Sequence, residues 1–174
     1  TGNMTTVEVT VSSSLILDGI VADEFNSDGD AIASFKWVVV RTIGMAESVD
    51  QVHGVYAVSL SRRRALMSSA SSSSSSEIDF SLDMRFYVWG SDIDEHMKEA
   101  MASEAITMVQ GDLIGAAEDG RLADVLAWAG EDSMLLAVAT VDVDATVHAV
   151  QHHTSAEVVI VIEAPTAEPT VSNT

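Results

Sequence analysis

Residues 77–89, EIDFSLDMRFYVW, alternate apolar and polar side chains without a break. Ile78, Phe80, Leu82, Met84, Phe86 and Val88 fall on one parity; Asp79, Ser81, Asp83, Arg85 and Tyr87 fall on the other. Successive side chains of a strand point to opposite faces, so this pattern predicts a strand with one dry face and one wet face. Such a strand belongs in an antiparallel sheet covered on one side. The rest of the chain has to supply that cover.

Period two appears again in TVEVTVSSSLIL, where Val7, Val9, Val11, Leu15 and Leu17 mark a first strand. A turn-rich DGIVADEFNSDGD leads to AIASFKWVVVRTIG, in which Ile32, Phe35, Val39 and Ile43 have helical spacing. Asp28 or Asp30 is placed to cap that helix and Gly44 to end it. VDQVHGVYAVSLS reads as a second strand with Tyr56, Val58 and Leu60 on one face, joined to the alternating segment by a hairpin loop. GSDIDEHMKEAMASEAITMVQ predicts a second helix, capped by Ser91 with Asp94 and striped by Ile93, Met97, Met101, Ala105 and Met108. Gly111, Gly115 and Gly120 are expected to loosen the next segment, before RLADVLAWAG forms a short helix ending at Gly130. LLAVATVDVDATVHAV alternates again, with Val141, Val143, Ala145 and Val147 expected to point inward from a strand.

The resulting order, β-α-β-β-α-β, predicts an α+β, ferredoxin-like antiparallel sheet with helices on one face, spanning residues 1–150. An additional strand is expected within 151–164. It is apolar on both faces at Val158, Val159, Ile160, Val161 and Ile162, and so calls for cover on both sides. Residues 165–174, with Pro165 and Pro169, read as an extended tail or linker.

At 174 residues the chain suffices for one sizeable core. Acidic residues outnumber basic ones 27 to 8, for a formal net charge of −19. That charge repels phosphate backbones and anionic lipid, so nucleic acid is not an expected partner. No apolar run approaches the ~20 residues a spanning helix needs. With no cysteine, disulfides, thiolate catalysis and thiolate metal sites are excluded. The chain opens on Thr1, so an N-terminal segment, with any signal peptide, is expected to have been processed or trimmed away.

Five stretches, in this order, carry a resemblance: FKWVVVRTIG, VYAVSLSRRRAL, IDFSLDMRFYV, EDGRLADVLAWAG and VATVDVDATV. Over roughly residues 5–150 the chain resembles the SEA-like, ferredoxin-like modules of secreted multidomain proteins of microalgae. The resemblance implies an extracellular structural or adhesive module at the cell surface. Some SEA domains cleave themselves at a Gly-Ser in the hairpin between strands 2 and 3. Here that hairpin has serines but no Gly-Ser, and Gly90-Ser91 comes after the third strand, so self-cleavage is not expected.

Arg62, Arg63 and Arg64 stand side by side in the same hairpin. Three readings stay open: charges that keep a strand end soluble, a contact for the acidic surface of a neighbouring copy, or a protease-sensitive loop. The serines after them read as a flexible spacer. No G-x-S-x-G elbow, H-E-x-x-H, Walker loop or G-x-G-x-x-G is present, and Ser68–Ser76 are expected in a loop too loose to hold a base beside them. Neither an enzyme nor a cofactor is expected. If residues 140–152 were a strand, Asp142, Asp144, His148 and His152 would share one face, read as a wet edge face before a metal site. NSDGDA at 26–31 reads as a capped turn, with weak Ca²⁺ association by clustered carboxylates as the alternative, because Phe35 stands where an EF-hand needs glutamate. Trp37, Trp89 and Trp128 are expected in core packing rather than on a sugar platform, and Met97, Met101 and Met108 likewise.

The expected function is therefore a non-enzymatic extracellular assembly module. It would polymerise or dock with neighbouring domains through Val158–Ile162, added to a sheet edge, and through Arg62–Arg64. The alternatives are an accessory subunit of a larger complex in an organelle lumen, or a weak cation- or glycan-binding domain.

Overall fold

The computed structural model describes residues 4–60, 75–90 and 92–161. Its strands are β1 (Met4–Asp18), β2 (Val52–Ser59), β3 (Ser75–Trp89), β4 (Thr140–Val141) and β5 (Ser155–Val161). Its α-helices are α1 (Ala22–Asn26), α2 (Gly29–Thr42), α3 (Glu95–Asp119), α4 (Arg121–Ala129), α5 (Met134–Ala137) and α6 (Val143–His153), and a 3₁₀ turn covers Val49–Gln51. All strand pairs are antiparallel, in the order β2-β3-β1-β4, with β5 also on β1. The class is α+β, and the order is that of a ferredoxin-like sheet.

β1 and β3 are the centre of the sheet, paired without interruption from Met4↔Trp89 to Asp18↔Ser75. The parity predicted from sequence is the parity observed. Val7, Val9, Val11, Leu15 and Leu17 on β1 and Ile78, Phe80, Leu82 and Met84 on β3 are buried. Phe35 of α2 meets Phe80 and Phe25 edge-on, with ring centroids 6.0 and 5.9 Å away. Asp28 caps α2 by accepting the amides of Asp30 and Ala31. The asparagine of the acidic 26–31 stretch is engaged elsewhere: Asn26 pairs with both the N–H and the carbonyl of Ala57.

Four local expectations are corrected. First, α3 runs unbroken through Gly111 and Gly115 and ends at Gly120, whose φ of 85° is the left-handed conformation of a helix terminus. Its cap is Asp94, which accepts the Met97 amide at 2.8 Å, while the predicted partner Ser91 lies outside the described residues. The buried stripe is Ala105, Val109, Leu113, Ala116 and Ala117, so Ala105 is the only member of the predicted stripe to be fully buried.

Second, β2 presents Ala57 to the core and turns Tyr56 outward. A register shift between His53 and Tyr56, at Gly54 with φ of 65°, puts an irregularity in the strand. Third, Ser75 and Ser76 belong to β3 rather than to a loop; Ser76 is buried and donates to the Ile20 carbonyl.

Fourth, the strand expected over 135–150 is mostly helix. Only Thr140 and Val141 pair with β1, opposite Asp18 and Leu17. The Asp142 carboxylate then accepts the Ala145 amide and starts α6. The helix buries Thr146, Ala149 and Val150, where a strand would have buried Val143, Ala145 and Val147. The Thr146 hydroxyl accepts the Ile16 amide at 3.0 Å and donates to the Ile16 carbonyl at 3.1 Å. It thereby satisfies β1 where no strand lies beside it.

After α6, Ser155 stands opposite Ser12. Continuing the β4 register would have put residue 146 there, so β4 and β5 are two pieces of one edge strand with nine residues inserted between them. The strand expected after the domain is therefore the main part of the domain's fourth strand. The boundary expected at residue 150 falls inside α6.

Candidate interaction surface

The helices leave the other face of the sheet open, and every outward position on β1 has a cross-strand neighbour there. Thr10 donates to Asp83 at 2.7 Å, Ser14 donates to Asp79 at 2.6 Å, and the Ser12 and Ser81 hydroxyls share a hydrogen bond of 2.9 Å. His53 Nε2 lies 2.9 Å from Asp83 Oδ1, and His153 Nδ1 lies 2.9 Å from Glu77 Oε1. Arg85 faces Glu8 at 3.8 Å. Ser12, Ser14, Glu77, Asp79, Ser81 and His153 line a shallow depression of about 360 Å³.

These groups do not form a nucleophile–base chain. Ser14 gives its proton to Asp79, Ser12 and Ser81 bond each other, and His153 is turned to Glu77. A serine nucleophile needs its hydroxyl on a base that a third group orients. The arrangement is a polar ladder. Burial pushes the Asp79 carboxyl above its ordinary range; the Ser14 hydrogen bond pulls it back, Glu77 adds to the rise and His153 opposes it. For Asp83, burial also pushes upward, but hydrogen bonds from His53 and Thr10 and the charges of His53 and Arg85 outweigh it and hold this carboxyl low.

Toward the Met4–Trp89 end the open face changes character. Tyr87 is 63% exposed and Trp89 70%, with Met4 and Val159 each at 50%. Register puts all four on the open face: Met4 opposite Trp89, and Tyr87 and Val159 on the parity of Thr6 and Glu8. Exposed aromatic and aliphatic groups gathered on one sheet face mark an interaction site more often than isolated ones do.

The two sheet edges differ. β2 is irregular at Gly54, which blunts it as a template. β5 pairs with β1 over Thr6–Ser12 without a register shift, and no described strand lies along its outer side. Its seven residues, SAEVVIV, contain one charge, Glu157, and no proline. An edge of that kind offers a row of free N–H and C=O groups.

Of the residues singled out from sequence, Val158 packs against the core and Val159 is exposed on the open face. Ile160 and Val161 continue β5, while Arg62, Arg63, Arg64 and Ile162 lie outside the described residues. The tryptophans are not core residues: Trp37, Trp89 and Trp128 are all exposed, and Trp128 lies under the Arg41 guanidinium, 5.0 Å from the ring centroid. Asp142 and His148 do not share a strand face, because α6 replaces that strand. The exposed Tyr87–Trp89 end was missed, although both residues lie on the polar parity of the alternation, where an aromatic is conspicuous. Among the described residues no helix is long and apolar enough to cross a membrane, and no three or more histidine, aspartate or glutamate side chains are grouped to hold a metal ion. No protein-family model, curated protein or solved structure matches the chain.

Proposed function

We propose that the chain is a non-enzymatic assembly module that associates with a second copy of itself, β5 edge to β5 edge. The observation that supports this most is the unblunted outer side of β5, set against a β2 edge broken by an irregularity. Closed homodimers use one patch twice, and two antiparallel edge strands satisfy that symmetry directly. Pairing all seven residues centres the contact on Val158, the middle of β5. Glu157 of each copy then faces Val159 of the other, so the only charged residue of the strand never meets its own twin. The exposed Val159 lies on the open face within that contact. The extracellular setting proposed for this module rests on the resemblance of its element order to secreted SEA-like modules.

Two substitutions at one exposed position test the reading. Val159→Asp puts like charge opposite Glu157 and should leave a monomer at concentrations where the unaltered chain is dimeric by light scattering. Val159→Lys puts opposite charge there and should keep or strengthen the dimer. A chain that is monomeric at every concentration, or two variants that behave alike, would overturn it.

A further inference from the structure

Helix α6 carries His148 and His152 one turn apart on its exposed side. Their ring centroids are 4.3 Å apart and the ring planes are inclined by 44°. Residues four apart on a helix are neighbours on one face, and this is the spacing at which paired helical histidines hold zinc. A tetrahedral ion with nitrogens at 2.0–2.1 Å needs its two imidazole nitrogens about 3.4 Å apart. The two rings are already at contact distance, so their nitrogens are close to that separation's scale.

The backbone carrying the pair is fixed from its other side. Thr146, Ala149 and Val150 are buried, Thr146 makes its two bonds to Ile16, and Gln110 donates to the Val150 carbonyl at 3.1 Å. Preformed spacing lowers the ordering cost of binding. His53 and His153 each place a ring nitrogen against a carboxylate, Asp83 and Glu77, whereas His148 and His152 meet each other.

We propose that His148 and His152 form a site for one divalent transition-metal ion of the zinc, nickel or copper class. Two imidazoles favour these borderline ions over calcium and magnesium, which take oxygen ligands. No three-ligand group forms among the described residues, so water completes the coordination. The net charge of −19 draws cations of every kind to the surface, and the experiment must separate that from ligation.

Titration calorimetry of the full chain with Ni²⁺ and with Zn²⁺ should give one ion per chain, undisturbed by excess Ca²⁺. Affinity should fall at least tenfold in His148→Ala and in His152→Ala and stay unchanged in His96→Ala. Acid should weaken binding, because a proton takes the lone pair that the ion needs. Circular dichroism checks that the variants remain folded, with His148→Asn and His152→Asn as replacements if alanine perturbs the helix. Absence of binding, binding displaced by Ca²⁺, or equal affinity in the double variant would overturn the proposal.

Discussion

Asp79 shows how one side chain can set a pH dependence. It sits in a wet ladder, yet its partial burial and the neighbouring Glu77 make its charge costly, by more than the Ser14 hydrogen bond and His153 offset. Its folded pKa is raised, so the folded chain takes up a proton more readily than the unfolded chain does. The folded state therefore gains stability as pH falls through the window just above the ordinary carboxylate value of about 3.9, and loses it as pH rises through the raised value. Asp79→Asn keeps an oxygen for the Ser14 hydroxyl and removes the charge. We expect it to flatten the melting temperature against pH in that window and to raise it at neutral pH. An unchanged profile would show that the carboxylate is solvated well enough to cost nothing. Asp83, four residues further along the same strand, has the opposite sign: its contribution is present above the ordinary carboxylate range and lost as pH falls through its lowered value.

At the scale of elements, α3 spends two of its residues badly. Gly111 and Gly115 lie inside a continuous helix, and a Cβ at either would meet no atom within 4 Å. Gly111→Ala should therefore stabilise the fold by about 0.5–1 kcal/mol, read as a shift in the midpoint of urea unfolding. Destabilisation would mean that the chain needs a break there. These glycines also explain why the sequence suggested a looser segment than the helix that forms. The elements best read from sequence, β1, β3 and α2, bury mostly apolar residues at the predicted spacing, with Ser13, Ser76, Ser34 and Thr42 as buried polar members that leave the period readable. α6 was misread because its buried face includes Thr146, a polar residue whose partner is the Ile16 backbone 130 positions away. Hydropathy cannot register a contact of that kind, and Val141, Val143, Ala145 and Val147 offered a strand period in its place. The β2 core face was hidden for a related reason: one irregularity at Gly54 makes Ala57, not Tyr56, the inward residue. The polar parity of Tyr87 and Trp89 was legible in the sequence, but placing Met4 beside Trp89 required the register of β1 with β3.

The whole molecule is dominated by its charge. A net −19 on 174 residues repels itself in the folded state, and the few ion pairs of the described residues offset little of that. Raising salt from about 10 mM to about 1 M shortens the Debye length from about 30 Å to about 3 Å. Melting temperature should climb by roughly 2–4 °C over that range, equivalent to about 1 kcal/mol for a domain of this size. A flat response would mean that the acids are too widely spaced to oppose folding. The nine-residue insertion in the edge strand bears on how this molecule comes apart. Unzipping of β5 toward its first residue, Ser155, meets α6, which Thr146 ties to β1. Release of β5 withdraws Ala156 and Val158 from their places against the core, so those two side chains set its cost while α6 stays in place.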